Sequence, residues 1–198
     1  MLQTRSPDTP YRAPARGAIL AALLGLMLVT RSPQLGGIDL LHAGSWALFL
    51  AAGFYLRGVA SLTLLLAAAF AADAIALGWG QIASVCFTPA YALLLPAYAS
   101  LWAAGRWYSD RHRLAWDSLR PLAAALFLGA LVCEAFSSGG YYWLSGAFAS
   151  PGMIEFLARE SLYFPAYFAT LCLWTGVIAA LHVGLRAALT AAPHRGRA

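Results

Sequence analysis

The sequence predicts an all-α integral membrane protein with six transmembrane helices and with both termini in the cytoplasm. Hydrophobic residues make up 61% of the 198-residue chain and charged residues only 11%. No soluble domain of this size buries so large an apolar fraction. The chain also divides into six apolar runs, and its arginines are distributed unevenly between the two sides that six crossings would create. These observations together favour a multi-pass bundle in a lipid bilayer.

Six apolar runs are the candidate transmembrane helices. Several are shorter than the ~20 residues that a helix needs to cross a bilayer, so we expect tilt and extension into the flanking residues. The sequence thus predicts a polar cytoplasmic tail at 1–16, a six-helix membrane domain at 17–188 and a second cytoplasmic tail at 189–198. The runs are Gly17–Thr30, Ser45–Leu56, Gly58–Trp79, Phe87–Gly105, Leu119–Phe136 and Leu162–Leu185.

The positions of the arginines test the count of six. All thirteen basic residues are arginines, and with the N-terminus inside, only Arg31 and Arg159 fall on the outer side. This is the positive-inside bias of multi-pass proteins, and adding or removing one span would destroy it. The net charge of +5 does not indicate a nucleic-acid partner, because the arginines lie between apolar runs and form no basic face.

The predicted outer loops are long and rich in glycine, whereas the inner ones are short and basic. The outer loops cover Ser32–Gly44, Gly78–Cys86 and Ser137–Glu160. In the last loop, Ser150-Pro151 predicts a short helix over Gly152–Glu160, separate from the final span. Long loops gathered on one face usually carry function, so we expect a site that opens outward.

Cys86 lies at the most informative corner of the sequence. The following Thr88-Pro89 is a helix-start signature, because threonine can cap free amides and proline suits the first helical position. A cysteine just outside a helix N-terminus is favoured as a thiolate. The alternative is an apolar filler role, which we assign to Cys133 and Cys172. Without close cysteine pairs, neither a disulfide framework nor a structural zinc site is expected.

Asp73, Tyr91 and Arg159 are the other candidate site residues. An ionisable residue inside a span, such as Asp73, is costly and usually functional. Its alternative role is an ion pair with an arginine elsewhere, for example Arg159. The planar donor fork of Arg159 suits phosphate or amide oxygens, although Glu155 lies one turn earlier and offers an internal ion pair. Tyr91 is set apart from the aromatic belt by its place one turn into the helix that Cys86 precedes.

No Walker motif, Gly-x-Ser-x-Gly elbow or His-Glu-x-x-His motif occurs in the sequence. The sequence therefore predicts that the chain hydrolyses no nucleotide itself. If it transports a substrate, the energy must come from a partner.

The series Asp73…Cys86-x-Thr-Pro-x-Tyr91…Arg159, within six short spans and glycine-rich outer loops, resembles the BtuM family. These are cobalamin-specific S-components related to energy-coupling-factor (ECF) transporters. The resemblance covers residues 17–186 and rests most specifically on the cysteine–threonine–proline–tyrosine corner. It implies the ECF S-component (thiamin-transporter-like) fold, cobalamin as the substrate and Cys86 as the cobalt ligand. It also implies that Asp73, Tyr91 and Arg159 contact the substrate.

The resemblance further implies cobalamin uptake across the bacterial inner membrane, either with an ECF energising module (EcfT and its ATPases) or with none. It associates Cys86 with the decyanation of cyanocobalamin. The chemistry is reasonable, since a soft thiolate is a good donor to corrin cobalt and metal binding favours its deprotonation. A strong donor pushes electron density towards the opposite axial position, where cyanide is bound.

Three alternatives remain at the level of the sequence. The first is an S-component for another vitamin, with Cys86 only structural. The second is a small intramembrane thiol enzyme, and the third is a structural subunit of a larger complex. The thiol enzyme requires a base near Cys86, and no histidine is close to it in the sequence.

Overall fold

A computed structural model of the chain describes residues 13–31, 44–78 and 88–191. In these ranges the regular structure consists of six α-helices and two short 3-10 helices, with no strand. The all-α prediction is therefore confirmed for this part of the chain. The helices are α1 (Ala13–Thr30), α2 (Gly44–Tyr55), α3 (Val59–Gly78), α4 (Leu94–Ser109), α5 (Leu119–Leu144) and α6 (Met153–Ala191), and the 3-10 helices are Pro89–Leu93 and Trp116–Ser118.

Three segments of the described chain are long and apolar enough to cross a membrane. They are Val59–Gly78, Trp116–Leu144 and Met153–Leu185, which correspond to α3, to α5 with its preceding turn and to most of α6. The apolar helices Pro14–Thr30 and Gly44–Tyr55 are shorter. Length and composition thus support a membrane protein.

Consecutive helices run in opposite directions, so their ends gather at two poles. At one pole, called here the Asp73 end, Arg31 at the end of α1 is ion-paired with Asp73 near the end of α3. At the opposite pole, the Asp110 end, Arg57 after α2 is ion-paired with Asp110 after α4. Every residue of the predicted site that the structure describes lies towards the Asp73 end.

All six helices contribute to one core. The largest fully buried side chains come one from each helix, as expected for a bundle whose apolar faces converge. They are Met27, Phe49, Leu65, Leu101, Cys133 and Leu171. The buried position of Cys133 agrees with the filler role predicted for it.

Helix α2 is the centre of the bundle, because residues Gly44 to Gly53 are all buried. A helix that is apolar and buried all round belongs in the interior. It crosses α4 at a close contact between two glycines. A Cβ atom on Gly53 would lie 1.9 Å from the carbonyl oxygen of Trp102, and one on Gly105 would lie 2.0 Å from that of Leu50. Only glycine permits the two backbones to approach this closely.

The final helix corrects a prediction. Instead of a short helix at Gly152–Glu160 followed by a separate span, α6 runs without a break from Met153 to Ala191 and includes Pro165. Its 39 residues correspond to a length of about 58 Å at 1.5 Å per residue. The charged pair Arg159 and Glu160 interrupts the apolar sequence but not the helical backbone. The predicted run, which follows hydropathy, therefore begins only at Leu162, well after the first residue of α6, Met153.

The helix start that the sequence predicts at Thr88-Pro89 is confirmed in part. Pro89 does occupy the first position of a helical segment, but this segment is the 3-10 helix Pro89–Leu93, and α4 begins only at Leu94. Thr88 has the extended backbone of a capping residue, yet its hydroxyl makes no capping hydrogen bond. Among the described residues this buried hydroxyl has no partner.

Candidate functional site

Asp73 lies at the centre of a polar cluster that joins three helices. One of its carboxylate oxygens, Oδ2, accepts a hydrogen bond from Nη1 of Arg31 and a second, of 2.7 Å, from the hydroxyl of Tyr91. Arg31 also donates through Nη2 to the hydroxyl of Tyr98. The guanidinium carbon lies 5.5 Å from the centroid of the Tyr98 ring. We call Arg31, Asp73, Tyr91 and Tyr98 the Asp73 cluster.

The cluster is largely shielded from solvent. The side chains of Arg31 and Asp73 are 14% and 18% exposed, so their charges attract each other more strongly than a surface pair would. Tyr98 is buried and its ring stacks on Phe49, with the centroids 4.5 Å apart. This stacking fixes the hydroxyl that receives the Arg31 hydrogen bond.

Tyr91 lies in the 3-10 helix, outside the long helices. Burial, together with the hydrogen bond that its hydroxyl donates to Asp73, raises the pKa of the Tyr91 phenol above its ordinary value. The hydroxyl therefore remains a donor throughout the physiological range. One buried donor of the cluster is still available, because Nε of Arg31 has no partner among the described residues.

The partner of Asp73 differs from the one suggested by the sequence. The sequence offered Arg159 as an example of an arginine that could pair with Asp73, whereas the ion pair is made with Arg31. The alternative pairing of Arg159 with Glu155 is not formed either, since the ion pairs of the described chain do not include it. The guanidinium of Arg159 instead lies 4.8 Å from the centroid of the Phe148 ring.

Arg159 lines a cavity between α5 and α6 at the Asp73 end. The cavity has a volume of about 360 Å³ and reaches Trp46 at the start of α2, which is within the usual size range for small-molecule sites. Glu134 is only 4% exposed in this wall of α5. Its Oε1 accepts a 2.5 Å hydrogen bond from the hydroxyl of Ser138. We call this space the Glu134 cavity.

The structure thus brings together two of the four predicted site residues. Asp73 and Tyr91 are hydrogen-bonded to each other, whereas Arg159 belongs to the Glu134 cavity at the same end of the bundle. Cys86, the predicted cobalt ligand, lies outside the described residues. Within the three described ranges, no group of three or more histidine, cysteine or acidic side chains is arranged to hold a metal ion.

Two members of the Asp73 cluster, Arg31 and Tyr98, were not among the predicted site residues, although the sequence contains a signal for each. Arg31 is one of only two arginines predicted on the outer side, and an isolated outer arginine calls for a carboxylate partner. Tyr98 follows Tyr91 by two helical turns in a repeated Pro-Ala-Tyr sequence, so both tyrosines face roughly the same side. Their meeting at Asp73 depends on how α1, α3 and α4 pack.

Comparison with known proteins adds no family assignment. A scan against protein-family models finds no match, and a search of curated proteins finds no significantly similar relative.

Proposed function

We propose that this chain is a multi-pass cobalamin uptake protein of the bacterial inner membrane, with the fold of an ECF S-component. In this proposal the six helices are six transmembrane spans, both termini are cytoplasmic and the Asp73 end faces outward. The positive-inside distribution of arginines and the gathering of the candidate residues at one pole of the bundle support this arrangement.

The observation that carries the proposal is the hydrogen bond between Asp73 and Tyr91, whose heavy atoms are 2.7 Å apart. These two residues precede and follow Cys86 in the sequence, and they meet in three dimensions. Cys86 belongs to the stretch of sequence that links these two residues. The resemblance to the BtuM family assigns the substrate to this corner.

Cys86 is proposed as the axial ligand of the corrin cobalt, because a thiolate is a soft donor that suits this ion. Asp73, Tyr91 and Arg159 supply an acceptor, a hydroxyl and a planar donor fork for the amide and phosphate groups of the corrinoid. A corrinoid is larger than the Glu134 cavity, so the cavity alone would enclose only part of it. In this proposal donation by the Cys86 thiolate weakens the opposite cobalt–cyanide bond. Cyanide then leaves with its bonding electron pair and is protonated to hydrogen cyanide, so the cobalt keeps its oxidation state.

An ECF module, consisting of EcfT and its ATPases, supplies the energy for uptake; without a module the chain would carry substrate only down its own gradient. Reconstitution in vesicles with and without such a module separates the two. Accumulation against a gradient in the absence of the module would require a further energy source.

The direct test is the absorption spectrum of the purified protein with bound corrinoid. Wild type should show a thiolate–cobalt spectrum, and Cys86→Ala should lose it. Cys172→Ala is the matched control, because Cys172 is a partly buried thiol within α6, and this variant should keep the spectrum. An unchanged spectrum in Cys86→Ala would refute the assignment of the cobalt ligand.

Competition binding with thiamin, riboflavin and biotin tests the first alternative, an S-component for another vitamin. Displacement of bound corrinoid by one of these at equal concentration would favour it. Thiol-dependent turnover without corrinoid would favour the intramembrane enzyme instead. Failure to bind any of these ligands would favour a structural subunit.

A further inference from the structure

The Glu134 cavity has an aromatic wall that the corrinoid proposal does not explain. Of its lining side chains, seven are aromatic and come from α2, α5, α6 and the connection between α5 and α6. The rings contact one another closely. The centroid of Tyr142 lies 4.5 Å from that of Phe148 and 5.4 Å from that of Phe156, and Trp46 lies 5.9 Å from Tyr167. These contacts hold the rings around a preformed space.

Two carboxylates, Glu134 of α5 and Glu160 of α6, line the same cavity together with Ser138. The two carboxylates lie close enough to interact electrostatically. Oε2 of Glu160 is shielded from solvent and has no partner among the described residues. When both carboxylates are ionised, two like charges are held close together in a partly dry space, which is costly. A positive charge placed between them removes this cost.

Arg159 is the one cationic side chain among the described residues that line the cavity. Its single charge does not balance both carboxylates. It carries one positive charge against the two carboxylates, and its guanidinium lies over Phe148. The remaining elements in the wall contribute uncharged groups, namely Trp46 from α2 and Phe148 from the connection. Two ionised carboxylates and one guanidinium leave the cavity with one net negative charge.

We propose that the Glu134 cavity binds a small organic cation of the alkylammonium class. Aromatic faces attract such cations through their quadrupoles, and quaternary ammonium groups are typically recognised by a cage of rings. The carboxylates add the opposite charge. A hard inorganic cation fits less well, because magnesium and calcium need six or more oxygen ligands, whereas the wall is mostly aromatic. The proposal does not depend on Cys86 or on corrinoid binding.

The first experiment separates charge from shape. Calorimetry on the purified full-length protein compares choline with 3,3-dimethylbutan-1-ol, which has the same shape but carbon in place of the charged nitrogen. We expect choline to bind at least about tenfold more tightly, because several cation–aromatic contacts and a carboxylate act on its charge alone. Equal affinities, or no binding of choline to the wild-type protein, would overturn the proposal.

The second experiment locates the binding. Glu134→Gln and Glu160→Gln keep the shape of each side chain and remove its charge, and each should weaken choline binding about tenfold. Glu155→Gln is the matched control, because Glu155 is an exposed acid of α6 that does not line the cavity, and it should bind as wild type does. If Glu134→Gln does not fold, Glu160→Gln alone decides. Wild-type affinity in both cavity variants, or an equal loss in Glu155→Gln, contradicts the proposal.

The outcome is independent of the corrinoid test. Cys86→Ala should keep choline binding even when it loses the thiolate–cobalt spectrum. Conversely, if wild type shows the spectrum but does not bind choline, the uptake proposal stands and the cation proposal fails. Loss of choline binding on addition of corrinoid would indicate that both ligands use the Glu134 cavity.

Discussion

Arg31 and Asp73 form an ion pair that fastens the end of α1 to the last part of α3. Arg31 extends the connection to α4 through Tyr98, and Tyr91 adds a hydrogen bond to the same carboxylate oxygen. Three helices are thereby joined by one carboxylate and one guanidinium. This relationship makes the Asp73 cluster both a structural joint and the framework of the proposed corrinoid site.

A double-mutant cycle measures the strength of this joint. Arg31→Gln or Asp73→Asn should each lower the free energy of unfolding by roughly 2–4 kcal/mol, because each leaves a mostly buried charge without its partner. The double variant should be less destabilised than the sum, with a coupling energy of about 1–3 kcal/mol. Thermal or denaturant unfolding in detergent provides the measurement. Strict additivity would show that the two side chains do not interact.

The raised pKa of Tyr91 predicts a loss of stability at alkaline pH. A group whose pKa is higher in the folded state stabilises the protein below the unfolded value of about 10 and loses this contribution as the pH rises further. Wild type should therefore unfold more readily above pH 10. Tyr91→Phe should be less stable than wild type at neutral pH, by about 1 kcal/mol, but should show a smaller alkaline loss.

Tyr141→Phe is the control for this measurement, because Tyr141 is exposed and makes no hydrogen bond to Asp73. Its alkaline unfolding curve should follow that of wild type. If Tyr91→Phe also follows wild type, the hydrogen bond to Asp73 does not hold the phenol proton.

The glycine contact between α2 and α4 predicts a strong effect of adding one methyl group. Gly53→Ala and Gly105→Ala would each place a Cβ within about 2 Å of a backbone oxygen, so the helices must separate. We expect a loss of about 3 kcal/mol or more, visible as a lower unfolding temperature and a lower yield of folded protein.

Gly176→Ala is the matched control, because a Cβ on this glycine of α6 meets nothing within 4 Å. Alanine is the better helix former by about 1 kcal/mol, so this variant should be as stable as wild type or slightly more stable. An equal loss in all three variants would mean that glycine is needed for another reason than close packing.

The alternating direction of the helices predicts the sidedness of their connections. Reporter fusions after Asp110 and after Ser150 should lie on opposite sides of the membrane, because these residues follow α4 and α5 respectively. Fusions after Arg57 and after Asp110 should lie on the same side. The positive-inside rule places the latter pair in the cytoplasm, and the reverse result would turn the proposed outward-facing site inward.

The helix boundaries show how well hydropathy predicts where each helix begins and ends. The predicted runs Ser45–Leu56 and Gly58–Trp79 match α2 and α3 closely, because both helices end at breaks in the apolar sequence. The predicted end at Phe136 falls short of α5, which continues to Leu144. Hydropathy reports where a chain meets lipid, whereas a helix continues as long as its backbone hydrogen bonds do. For the same reason the residues of α6 before Leu162 are helical although they lie outside the predicted apolar run.

The sequence alone determined that the chain is helical and apolar enough for a membrane, roughly where its helices lie, and that Asp73 is an unusual residue in an apolar helix. It also indicated that Tyr91 and Tyr98 share one side of the chain. These features are local, since they follow from composition and from the period of a helix.

Only the tertiary structure decided which side chains meet. The pairing of Asp73 with Arg31, rather than with an arginine later in the chain, depends on α1 packing beside α3. The presence of Glu160 and Glu134 in one cavity depends likewise on α6 lying against α5. Contacts between residues distant in sequence are set by the packing of whole helices, which no local pattern records. The Glu134 cavity exists for the same reason.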